Sequence, residues 1–207
     1  MARLGGCVTA AESRGVASEA AVLDTALTLF AERGYHGTAL SQIAEVLGIR
    51  TPSLYNHMRA KQDLLRAIVD ETTATVLADF RRVASDGDWA DRLGAATRVY
   101  AYRHATHRRE ALVVNRDTDS LAEPHRSVFQ DRRREHEHAF RAIIAAGAEA
   151  GAFHVDSPAL ASFAIREMCV SIARWFRDDG ALSAEEVAAQ YSRYALRIVG
   201  VNVTAIS

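Results

Sequence analysis

Residues 48–61 read Gly-Ile-Arg-Thr-Pro-Ser-Leu-Tyr-Asn-His-Met-Arg-Ala-Lys, so hydroxyl, amide, imidazole, phenol and cationic groups fall close together. Groups of these types hydrogen-bond phosphate oxygens and base edges of nucleic acid. From Tyr35 to Lys61 the only acid is Glu45, set against Arg50, Arg59 and Lys61, with His36 and His57 able to add charge. This local cationic bias sits on a chain of net charge −1, which suits a site-limited phosphate contact rather than nonspecific coating of nucleic acid. Lys61 is the only lysine in the chain. An ammonium on a flexible stem can follow a phosphate without the fixed fork of arginine.

A second constellation lies further on. Tyr100 and His104 share one face of a helical pattern, and Phe129, His136, Phe140 and Ile143 share another. Inward imidazoles among aromatic rings fit either two satisfied core histidines or a partly polar ligand pocket formed by Tyr100, His104, His136 and Phe140. Glu135 and His138 stand three apart, and His104, His107 and Glu110 form another three-spaced series, which raises a metal-binding alternative. Carboxylate-bridged di-iron bundles need two Glu-x-x-His pairs and two further glutamates. Only one such pair is present, so the expectation is no metal and no other cofactor. Arg132, Arg133 and Arg134 offer cations for a phosphate, or a solvated helix face.

These side chains must be positioned by helices. Three prolines and twelve glycines punctuate 207 residues, and apolar residues recur at intervals of three and four, so the fold class is all-α. Hydrophobic residues make up 49% and charged residues 25%, which excludes disordered and collagenous classes. Cys7 and Cys169 have no ligand spacing and form no disulfide framework, which implies a reducing cytoplasm. No apolar run reaches the ~20 residues that span a bilayer, and no secretory leader is evident, so no membrane partner is expected.

Residues 1–17 lack periodicity and read as a mobile tail. Ser18 caps a first helix with Val22, Leu23, Ala26, Leu27 and Phe30 on one stripe, stopped by Gly34. Thr38 caps a short second helix through Leu47, and Thr51 caps a third that opens with Pro52. Longer helices follow over roughly 61–84, 88–107, 108–117, 123–150, 157–179 and 183–202, broken by glycine, proline and Asp/Ser capping segments.

Two short helices joined at Gly48 and Ile49, with a third packed behind, fit a helix-turn-helix. A recognition helix enters the major groove by its N-terminal end, where Arg50, Thr51 and Ser53 stand. Leu54 faces the small core, and Tyr55, Asn56 and His57 follow on the exposed side. Lys61 adds a cation beside a helix N-terminus whose free N–H groups favour phosphate.

The stretch LFAERGYHGTALSQIAEVLGIRTPSLYNHMRAKQDLL resembles the DNA-binding domain of the TetR family of transcriptional regulators. The resemblance covers about residues 18 to 65 and rests on Gly-Tyr-x-x-Thr, Ile-Ala, Gly-Ile, then Leu-Tyr-x-His and Lys. It implies a DNA-binding domain at 18–62 and a ligand-binding and dimerisation domain at 63–207. It also implies that Thr38, Ser41 and Gln42 lie near the DNA, and that Thr51, Pro52, Ser53, Tyr55, His57 and Lys61 form the main contact surface. Met58 departs from a usually aromatic slot, Ala60 from a frequent serine cap, and Arg50 from a small hydroxyl residue. The absent cap costs helix four about 1 kcal/mol, partly offset by Asp63. Arg50 can read a guanine edge or hold a phosphate.

Such a regulator is not an enzyme. It is cytoplasmic, pairs as a homodimer on a palindromic, double-stranded operator, acts as a repressor, and is released by a small-molecule effector. Ile165, Met168, Ile172 and Trp175 form one stripe, and Val187, Tyr191, Tyr194 or Ala195, and Ile198 another. Two such helices from each subunit can build a four-helix interface, the alternative being that both stripes pack in the subunit's own core. The ending ARWFRDDGALSAEEVAAQYSRYALRIVG resembles TetR-type repressors of fatty-acid or steroid catabolism, which implies an acyl-CoA thioester as effector. Effector binding is expected to move the 61–84 helix and spoil the spacing of the two recognition helices.

Overall fold

The computed structural model describes residues 17–85 and 87–202, and the expected tail at 1–17 lies, but for Ala17, outside them. The helices are α1 (Glu19–Arg33), α2 (Leu40–Val46), α3 (Thr51–Leu54), α4 (Lys61–Val83), α5 (Trp89–Thr106), α6 (Arg108–Asp117), α7 (His125–Glu149), α8 (Pro158–Trp175) and α9 (Ala184–Ile198). A single 3-10 turn, Thr118–Ser120, follows α6. No strand occurs among the described residues.

The helix starts follow local chemistry. Ser18 accepts the Ala21 N–H at 3.2 Å, Asp88 that of Asp91 at 2.9 Å and Ser183 that of Glu186 at 3.2 Å. Each such cap stabilises its helix by about 1 kcal/mol. Two expected caps are corrected. Thr38 precedes the α2 N-cap position, which Ala39 holds, and Thr51 is already helical, with Arg50 at the cap position. Gln42 takes over at α2, where its Oε1 accepts the Ala39 N–H at 2.8 Å. Ala60 at the start of α4 makes no side-chain cap, as expected, and Asp63 Oδ2 accepts the N–H groups of Arg59 and Ala60 at 2.9 and 3.0 Å. Helix α8 stops four residues short of the expected end, at Trp175, because Phe176 turns extended and buries its ring.

Two hydrophobic clusters organise the molecule. One gathers Val22, Ala26 and Phe30 of α1, Ile43 and Ala44 of α2, Leu54 of α3, and Leu64, Leu65, Ile68 and Val69 of α4. It also takes in Val113, Leu121 and Phe129 from beyond α5, so the N-terminal helices share their core with the larger half. The other cluster packs α4, α5, α7, α8 and α9 around Leu93, Phe140, Ile144, Ile165 and Ile172. Helices α4 and α7 belong to both clusters and join them.

Candidate functional site

The connection from α2 to α3 is made tight by Gly48, whose φ of +65° is open to glycine and strained for other residues. Its N–H reaches the Glu45 carbonyl and that of Ile49 the Ala44 carbonyl. Leu54 and Met58 are buried beneath. After Leu54 the chain continues in i to i+3 bonds, with Tyr55, Asn56 and His57 donating to Pro52, Ser53 and Leu54. This tighter winding leaves Tyr55 55% exposed, and it places Ser41, Arg50, Pro52, Asn56 and Arg59 in solvent with Thr51, Ser53, His57 and Gln42 half-buried beside them. The result is one hydrogen-bonding, cationic face on the outer side of α2 and α3.

Two residues expected on that face are committed elsewhere. Thr38 is 1% exposed, and its hydroxyl lies 2.9 Å from the Gly34 carbonyl and 3.1 Å from that of Leu29, closing the end of α1. Lys61 donates to the Tyr35 and Thr38 carbonyls, both at 2.8 Å, with its ammonium 4.2 Å from the centre of the Tyr35 ring. Burial lowers its pKa. The free phosphate-following cation expected at Lys61 is corrected to a clamp across the α1–α2 connection, because an ammonium has only three donors and two are spent. Sequence spacing could not show this, since the partners lie 23 and 26 residues away.

The larger half encloses an open cavity of about 210 Å³ among α4, α5, α6, α7 and α8. Tyr100, His104 and His136 line it as expected. Phe140 does not. Its ring is fully buried behind the wall, 5.3 Å from His136 and 4.9 Å from Phe80, because its position on α7 falls one turn too deep. Burial holds His104 down to about 4 and His136 down to about 3, so both are neutral at physiological pH. His104 Nδ1 donates to the Tyr100 carbonyl at 2.8 Å, which leaves its Nε2 as an acceptor. Desolvation pushes the Tyr100 phenol up to about 12.

Sequence reasoning named Arg132 and Arg133 as cations for a phosphate but missed Arg103, Arg166 and Arg174. All five line the cavity, against Glu167 as the acid in the lining. Arg103 is held by Asp79 at 3.2 Å and Arg132 by Asp70 at 2.7 Å. The usable signal was periodicity: Arg103 and Arg166 fall on inward positions of their helices. The metal alternative finds no ligand set. Glu135 is paired with Arg81, and no group of three or more metal-ligating side chains exists among the described residues.

The cavity and the outer face are tied together. Val114 and Asn115 of α6 line the cavity, while Arg109 of the same helix binds Asp24 at 2.9 Å and Thr28 at 2.7 Å on α1. Arg116 donates to the Phe30 and Ala31 carbonyls. At the start of α4, Gln62 accepts the Ala122 N–H at 3.1 Å and donates to the Ser120 carbonyl.

Helices α8 and α9 leave an apolar face open. Leu160, Phe163 and Trp175 of α8 are 71%, 57% and 47% exposed, and Tyr194 and Ile198 of α9 are 42% and 39% exposed. Trp175 stacks on Tyr191 at 6.4 Å. The expected pairing stripe is therefore shifted in phase: Ile165, Ile172, Val187 and Ala195 are buried in the subunit's own core, Met168 and Tyr191 are half-buried, and Trp175, Tyr194 and Ile198 of that set are exposed.

Comparison with known proteins gives the family. Residues 22–68 match the family described as bacterial regulatory proteins, tetR family, and residues 86–199 match the tetracyclin repressor-like C-terminal domain. A bacterial regulatory protein in the tetR family from Rhodococcus RHA1 is 33% identical, superposes with a TM-score of 0.82, and is matched over 89% of this chain and 98% of that one. The HTH-type transcriptional repressor KstR2 of Rhodococcus jostii is 28% identical over 173 residues, 82% of this chain and 85% of its own. AibR, solved in complex with isovaleryl coenzyme A and operator DNA, shares the fold at a TM-score of 0.77 and 23% identity, over 89% of this chain and 99% of its own.

Proposed function

The chain belongs to the TetR family of bacterial transcriptional regulators, and on that premise we propose that it is a repressor whose homodimer leaves a palindromic operator when an acyl-CoA thioester enters the bundle cavity. The observation that carries this reading is the physical link between the outer face of α2 and α3 and a cation-lined cavity, through α4 and α6. On the DNA face, Arg50, Thr51, Pro52, Ser53, Tyr55, Asn56 and His57 are the proposed contacts, with Ser41 and Gln42 beside them. Thr38 and Lys61 contribute by holding the α1–α2 connection in shape.

Pairing through the exposed rows of α8 and α9 sets two such faces at a fixed spacing, which a two-fold operator requires about 34–36 Å apart or at a multiple. The relative KstR2 is named as a repressor, which supports the sign of regulation. The fold is able to hold an acyl-coenzyme A and operator DNA, as AibR does. Here the acyl part would lie among Val76, Tyr100 and Phe129, and the phosphates would meet Arg132 and Arg133 near the mouth. Arg133 makes no ion pair among the described residues.

Cavity occupancy that displaces Val114 or Asn115 drags α6, and the Arg109 and Arg116 contacts carry that shift to α1. A coupling of about 1–3 kcal/mol weakens operator binding roughly 5- to 150-fold. The test is capture of genomic fragments by the purified protein, sequencing of the bound DNA, and a repeat with a panel of acyl-CoA thioesters. An enriched palindrome released by one thioester is the expected result. An enriched palindrome that no thioester releases removes the effector assignment, and absence of enrichment removes the regulator reading.

A further inference from the structure

One charge at the inner end of the cavity is only loosely countered. Arg166 is 5% exposed and lines the cavity. Its Nε has no hydrogen-bond acceptor among the described residues, and its Nη1 stands 3.6 Å from Glu137, a carboxylate that is itself 46% exposed. A guanidinium is always charged and offers five donors in a planar fork. Buried with one loose partner, it is left with desolvation that the protein does not offset.

The groups around it do not supply the missing anion. Tyr100 is hydrogen-bonded to Arg166 as a neutral phenol, and His136 is 6% exposed with an unpartnered Nε2. Both imidazoles facing this end are neutral. Glu167, the next residue on α8, projects about 100° further around the helix and forms no ion pair with Arg166. Asp70 and Asp79 are already engaged by Arg132 and Arg103. The inner end is thus a loosely paired cation with a free Nε–H donor, walled by aromatic rings.

We propose that this inner end is a carboxylate subsite, in which the Arg166 fork, flanked by Tyr100 and His136, receives a free carboxylate carried at the far end of the effector. The proposal rests on the reading of the cavity as the effector site, and it narrows the effector class to molecules with an acid at the end that enters first. Planar carboxylate matches the guanidinium fork through two parallel N–H···O bonds. A small dicarboxylic acid and a thioester bearing a distal carboxylate share this chemistry.

The experiment is calorimetric titration of the full-length protein with matched pairs: monomethyl adipate against dimethyl adipate, and adipoyl-CoA against hexanoyl-CoA, each repeated with operator release as the readout. The acid-bearing member of each pair is expected to bind at least about tenfold more tightly. Arg166→Met is expected to abolish that preference while operator binding persists. Glu137→Gln is expected to leave it, whereas a purely structural ion pair predicts equal loss of stability in both variants with the preference untouched. Equal affinity of adipoyl-CoA and hexanoyl-CoA, with both releasing the operator, overturns the subsite and leaves the repressor standing. Failure of every acid to bind overturns the subsite as well. The wild-type pairs decide the matter even where Arg166→Met does not fold.

Discussion

Replacing Lys61 by methionine separates two roles that the sequence alone leaves merged. Methionine keeps most of the aliphatic stem and removes the ammonium, so the variant loses the two 2.8 Å bonds to the Tyr35 and Thr38 carbonyls and the contact over the Tyr35 ring. Hydrogen bonds to a charged donor contribute about 1.5 kcal/mol each at the low end, and the cation–π contact adds about 0.5 kcal/mol at a partly exposed site. Release of the fixed side chain returns about 1.5 kcal/mol of rotamer freedom. The net expectation is a loss of about 2 kcal/mol in stability, read by urea denaturation of the full chain at one fixed protein concentration, since dimer stability depends on concentration.

The same variant is then titrated with operator DNA across salt. As a clamp, Lys61 contributes little to counterion release, so affinity falls while the slope of log K against log salt stays unchanged. A phosphate-bound lysine predicts the opposite: a slope shallower by about 0.9 with stability altered by less than about 0.5 kcal/mol. That second pattern would refute the clamp and return Lys61 to the DNA surface.

Tyr55→Phe, which removes an exposed phenol oxygen, is expected to weaken binding to all operator sequences alike, and a bound-sequence selection that shifts base preference contradicts its assignment to phosphate. Phe163→Glu combined with Ile198→Glu is expected to give a folded monomer in analytical ultracentrifugation that no longer binds operator, while Ile172→Glu, fully buried, is expected to unfold the subunit. Stability is expected to fall in acid. Burial holds His104 to about 4 and His136 to about 3 against 6.5 ordinarily, so between those values the unfolded chain binds the protons, and stability is full above about pH 6.5 and is lost as pH drops toward 4 and 3. At about pH 5 the loss is on the order of 2 kcal/mol per histidine; thermal melts at about pH 7.5 and about pH 5 should show it, with a smaller drop in His136→Phe.

Helix order and most boundaries were legible because they depend on neighbours in sequence: caps at Ser18, Asp88 and Ser183, and apolar spacing within each helix. The helix-turn-helix was legible for the same reason, since Gly48 and the buried Leu54 act within one turn. Long-range commitments were not. Thr38 and Lys61 look like free polar groups until the end of α1 is brought against them. The dimer stripe slipped because both faces of α8 are apolar, and periodicity alone does not tell Ile165, which faces the subunit's own core, from Phe163, which faces out. Arg166 was passed over as a site residue, although its spacing puts it on an inward position of α8, because an arginine in a helical pattern reads as solvated until four other helices surround it.

The most direct measurement is effector affinity with and without saturating operator, using the thioester that releases the DNA and the captured palindrome. The account predicts that operator weakens effector binding by the same factor, roughly 5- to 150-fold, by which effector weakens operator binding. Identical effector affinities in the two conditions would contradict a cavity linked through α4 and α6 to the DNA-binding face.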